Sequence, residues 1–161
     1  EHKNIIELLR SFIDTASINE DLFKKSKDLT LKILESDTEE DIKKTVEQSF
    51  KKDFEVDKCM LEFYDNDALD KIENATGLSM HKGAIHCGSF SNEKMLFLFS
   101  DKKIESLVIA VIVIGEKIGL LKLGSYDRTK YLGDEDTTFI EYIRDILEKK
   151  LTSSYGKWNI Y

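Results

Sequence analysis

Between Ser106 and Gly124 the chain spells out a β-hairpin, and this stretch constrains the fold more than any other. Ser106 to Ile114 is a continuous run rich in β-branched residues, and a strand apolar at every position from Leu107 on has no solvent face. Gly115-Glu116 offers a tight turn with positive φ at the glycine, and Ile118 to Gly124 returns the chain. Both faces of this hairpin need covers, so the remaining sequence has to supply two layers around a sheet.

The covers are read from helical spacing. Ile5, Leu9, Phe12, Ala16, Asn19, Phe23, Ser26, Thr30 and Ile33 recur at alternating spacings of four and three, a heptad-like stripe interrupted by polar residues. Leu8, Leu22 and Leu29 widen it. Ser36, Asp37 and Thr38 are N-cap residues for a second helix that is expected to end near Phe50, with Ile42, Val46 and Phe50 on its buried face. Asp57 to Asp65 alternates as a half-buried strand, with Cys59, Leu61 and Phe63 on one face and Lys58, Met60, Glu62 and Tyr64 on the other. A short helix with Leu69 and Ile72 inward stops at Gly77. Residues 79–100 read as a mixed strand region. The last helix carries Phe139, Tyr142, Ile143, Ile146, Leu147 and Leu151 on its apolar face, acids 134–136 at its start and Lys149 and Lys150 at its end. The fold class is α+β: an antiparallel sheet flanked by helices and preceded by a long N-terminal helix. The division expected is residues 1–34 as a dimerising helix and 35–161 as the domain.

Composition removes several functions. The net charge is −7, with lysines spread among acids, so the counterion release that drives phosphate binding has no clustered basis and direct nucleic-acid binding is not expected. The longest apolar run, Leu107 to Ile114, is too short to span a bilayer. The start is charged and amphipathic, unlike a signal peptide, and a cytoplasmic location is expected. Cys59 and Cys87 read as reduced, partly buried thiols, and no Cys-x-x-Cys or His-x-x-x-His spacing offers a metal site.

Several strings resemble one bacterial family. They are Cys87-Gly88-Ser89-Phe90, Met95-Leu96-Phe97-Leu98-Phe99, Glu105-Ser106-Leu107-Val108 and Gly119-Leu120-Leu121-Lys122-Leu123-Gly124-Ser125-Tyr126-Asp127. Tyr131-Leu132-Gly133 and Thr138-Phe139-Ile140 continue the likeness, and Ala16, Asn19, Leu22-Phe23 and Leu29 extend it upstream. The family is domain-of-unknown-function family 484, whose fold resembles GAF domains. The resemblance implies a GAF-like sheet and a preceding coiled-coil-forming helix, and it implies no reaction and no catalytic residue. Its members are often encoded near a tyrosine recombinase. The Asn-Lys-Phe-Asp-Glu motif of cyclic-nucleotide GAF domains is absent.

The candidate site gathers His86, Met95, Phe97, Phe99, Ser106, Ser125, Asp127 and Arg128, with Met80, Phe90 and Tyr126 as further apolar lining. Ser125, Asp127 and Arg128 offer a hydroxyl, an acceptor and a bidentate donor to a small ligand, or else they stabilise a turn. His86 and Cys87 are neighbours in an extended segment and point to opposite faces, which argues against joint catalysis. The leading reading is a non-enzymatic regulatory or interaction module that forms a homodimer through Ile5, Leu9, Phe12 and Ala16. The alternatives are a small-molecule sensor with an apolar pocket under residues 79–100, and a thiol enzyme using Cys59 and Cys87. No cofactor is assigned, and a further protein partner stays open.

Overall fold

The hairpin forms as read: β3 (Ser106–Ile114) and β4 (Lys117–Ser125) pair antiparallel from Ser106↔Ser125 to Ile114↔Lys117, with Gly115 at φ 61° in the turn. The computed structural model describes residues 20–54, 56–130 and 135–158. Before the hairpin come α1 (Glu20–Glu35), α2 (Glu39–Asp53), β1 (Lys58–Tyr64), α3 (Asn66–Thr76), β2 (Ile85–Gly88) and α4 (Asn92–Phe99); after it comes α5 (Glu135–Trp158). The four strands form one antiparallel sheet in the order β1-β4-β3-β2. This α+β arrangement is compatible with the GAF-like sheet that the family resemblance implies.

Alternation divides the sheet's side chains between two cores. On the first face Cys59, Leu61, Val108, Ala110, Ile112, Leu121 and Leu123 pack with Leu29 and Ile33 of α1, Ile42, Val46 and Phe50 of α2, and Ile143, Leu147 and Leu151 of α5. On the second face Leu107, Ile109, Val111 and Leu120 pack with Leu69 and Ile72 of α3, Met95, Leu98 and Phe99 of α4, and Ile104. The doubly covered hairpin is thus explained by one helical layer on each side.

Local chemistry starts and stops the helices. The Thr38 and Asp65 side chains accept from the backbone amides of Asp41 and Ala68, satisfying donors that the first turns of α2 and α3 leave open. Gly77 ends α3 in the left-handed region at φ 74°, a conformation most residues avoid. Two glutamates finish the sheet. Glu47 of α2 accepts from the Leu61 amide at 3.0 Å on the outer edge of β1, and Glu148 of α5 accepts from the Val113 amide at 2.9 Å, beyond the reach of β2. Unpaired edge amides are thereby capped from the helical layer.

Three expectations change. Residues 95–99 are helical, because the Ser91 side chain caps α4 and Ser100 closes it, while Met95, Leu98 and Phe99 fall on one face. α2 runs on to Asp53, and α5 runs past Leu151 to Trp158, so Lys149 and Lys150 are not in its last turn. Lys150 instead donates to the Leu34 carbonyl at 3.1 Å, satisfying the C-terminal end of α1. Leu29 and Ile33, at the end of the segment read as the dimerising helix, belong to the first core. Ile5, Leu9, Phe12 and Ala16, with the acids 134–136 whose side chains were assigned to the start of α5, lie outside the residues or side chains described. Among the described residues no helix is long and apolar enough to cross a membrane.

Candidate functional site

The hydroxyl and carboxylate groups expected after the hairpin do come together, and they are consumed by the turn that they build. Ser106 is buried at the start of β3 and its Oγ donates to the Asp127 carbonyl at 2.6 Å. The Asp127 amide donates to Ser125 Oγ at 3.0 Å, and Ser125 Oγ lies 3.4 Å from Asp57 Oδ2. Asp127 Oδ1 accepts from the Thr129 amide at 2.9 Å and its hydroxyl at 2.8 Å, an Asx-type turn. These donors hold the Asp127 carboxyl below the usual carboxylate range. Arg128 is exposed.

Asp57, which sequence reasoning passed over, organises this end of the sheet: its Oδ2 also accepts from the Tyr126 amide at 2.8 Å. Tyr126 in turn donates its hydroxyl to Asp101 at 3.0 Å, and Asp101 accepts from the Lys103 amide at 2.9 Å. The Lys103 amide is the chief reason that the Asp101 carboxyl titrates low.

The apolar members of the candidate site separate. Met95 and Phe99 are fully buried in the second core, whereas Phe97 is 50 % exposed on the outer side of α4 and lines nothing beneath it. Met95, Leu98 and Phe99 pack straight onto the sheet. A Cβ built on Gly124 would lie 2.9 Å from Ile104 Cδ1 and 3.1 Å from Phe99 Cε1, so the layers meet with no space to spare at that point. His86 is half-buried, and its Nε2 donates to the Ser79 carbonyl at 2.6 Å, which fixes the proton on that nitrogen and ties the 79–84 loop to β2.

The thiols occupy opposite edges of the sheet. Cys59 on β1 and Cys87 on β2 share one cross-strand row through Leu123 and Val108. Three strand spacings put them roughly 14 Å apart, twice the reach of about 7 Å for a disulfide. Burial, with Glu47 adding to it, pushes the Cys59 thiol far up, so it carries no thiolate near neutrality.

One group was missed altogether. Lys122 is 3 % exposed on the second face, in the row Met60–Lys122–Ile109–His86. Its Nζ donates to the Leu98 carbonyl at 2.8 Å and to Tyr64 Oη at 3.3 Å, and pairs with Glu62 Oε1 at 3.3 Å. Burial lowers its pKa while Glu62 pulls the other way. Burial, then Glu62, raises the Tyr64 phenol. The signal was present: a lone lysine at an inward position of an otherwise apolar strand, Ile118 to Gly124. Among the described residues no three His, Cys, Asp or Glu side chains gather as metal ligands. Concave surface of another kind runs between α1 and α2, where two polar recesses of about 280 and 320 Å³ share Lys32, Thr45 and Gln48.

Residues 1–159 match the family described as "Protein of unknown function, DUF484". The chain belongs to that family. The match spans the sheet, both helical layers and the N-terminal stretch, so the DUF484 region includes the hairpin-end turn and Lys122 alike. No curated protein matches the chain.

Proposed function

We propose that this DUF484 chain is a non-catalytic regulatory or interaction module that pairs with a second copy through its N-terminal helix. The observation that carries this reading is the double use of α1. Leu29 and Ile33 are buried in the chain's own core, while Leu31 is 47 % and Leu34 53 % exposed on another side of the same helix. A helix that packs on its own domain needs one apolar face, and a second one asks for a second surface.

The sequence spacing extends that second face. At about 100° per residue, Ile5, Leu9, Phe12 and Ala16 fall within roughly 40° of Phe23. Leu34 lies about 20° from Phe23 on the same count, whereas Leu29 lies about 120° away. A seven-residue repeat drifts by about 20° per heptad on a straight helix. That drift is why the stripe's end, Ser26 and Ile33, turns into the domain core.

Two features support a module without chemistry of its own. The hydroxyl and carboxylate groups of the candidate site are engaged in a turn, and the two thiols stand on opposite sheet edges. A scaffold is also favoured over a sensor: the sensing alternative asks residues 79–100 to arch away from the sheet, and Met95, Leu98, Phe99 and Ile104 pack directly on it. Light scattering of the intact chain at micromolar concentration should give the mass of two chains. The mass of one chain would overturn the reading.

A further inference from the structure

Lys122 puts a charge into a layer that an apolar side chain would fill at less cost. Replacing a buried ion pair by apolar residues of similar volume is often neutral or stabilising, so stability alone is a poor reason for the lysine. An ammonium has three hydrogens, and here it has three acceptors on two elements. Glu62 and Tyr64 hold it from β1, and the Leu98 carbonyl engages it from the last turn of α4. The contact to α4 is the shortest of the three and is charge-assisted. It also meets a helix C-terminus, where a cation is favoured.

α4 is a short unit with a positive-φ residue on either side. It has eight residues, it follows Gly88 at φ 131°, and it ends at Ser100 at φ 55°. Both joints sit in the left-handed region, and they bracket the segment that covers the sheet around Gly124. We propose that α4 is a lid that opens as a unit about Gly88 and Ser100 while the sheet stays folded, with the Lys122 ammonium as its latch. Lifting it uncovers the cation and the apolar surface beneath Phe99 together. This inference does not depend on how the chain dimerises.

Native-state hydrogen exchange of the full chain tests it. In the unaltered protein the Met95–Ser100 amides should exchange through an opening that leaves the Leu107–Val111 and Leu120–Leu123 amides protected. Lys122→Met should speed the Met95–Ser100 amides by roughly tenfold or more, the loss expected for one hydrogen bond to a charged group, with the strand amides unchanged. Uniform acceleration, slower α4 exchange or no change would each overturn the latch. If Lys122→Met does not fold, Lys122→Gln, which removes the ammonium and is too short to keep its contact to the Leu98 carbonyl, takes its place. Selective acceleration of α4 then supports the latch, and its absence refutes it.

Discussion

Gly124 shows how tightly single residues are constrained where α4 meets the sheet. Its missing side chain is the space that Ile104 Cδ1 and Phe99 Cε1 occupy, at 2.9 and 3.1 Å from where a Cβ would stand. Gly124→Ala should therefore destabilise by about 1–3 kcal/mol through overpacking. The check is a lower denaturant midpoint at constant slope; an unchanged midpoint would show that Ile104 moves aside freely. Two exposed carboxyls act on stability through pH. Asp101 and Asp127 both titrate below the usual range, the first chiefly through the Lys103 amide and the second through the Thr129 amide. A depressed folded pKa gives stability that is present above the unfolded value, near about 3.9, and lost as pH falls through the folded one. Stability should decline on acidification below about pH 4. Asp101→Asn and Asp127→Asn should each make that decline shallower in a series of denaturant melts, and an unaltered slope would contradict the assignment.

At the scale of elements, α4 depends on its cap. Ser91 Oγ accepts from the Lys94 amide, and Ser91→Ala should cost about 1 kcal/mol, read as a lower melting temperature. An equal melting temperature would mean that packing alone holds the helix. α4 is also the element that the sequence reading placed in a mixed strand region. Met95 to Phe99 is five apolar residues in a row, and such a run has neither period two nor period 3.6 to separate a strand from a buried helix turn. The informative residues were its polar neighbours Ser91 and Ser100. The hairpin was readable for the opposite reason: β-branched residues, a glycine turn and a returning strand agree with one another. The candidate site was half readable. Ser106, Ser125 and Asp127 do meet, because strand register brings the start of β3 beside the end of β4. Phe97 was misplaced because helical geometry turned it outward, and Asp57 and Lys122 were overlooked because their partners are distant in sequence.

At the scale of the molecule, a doubly covered sheet accounts for the buried hairpin, and α1 packs on it while exposing further apolar side chains. Its inward side chains, Leu29 and Ile33, are needed for the fold, whereas Leu31 and Leu34 are spare to it. The two roles can thus be separated by substitution. Leu31→Glu with Leu34→Glu should leave far-ultraviolet circular dichroism and thermal unfolding of the core intact while placing like charges in the pairing face. Sedimentation velocity of the intact chain and of this double variant at matched micromolar concentrations is the most direct measurement. A two-chain species for the intact protein and a one-chain species for the variant is the predicted result. A single chain in both, or two chains in both, would contradict pairing through α1.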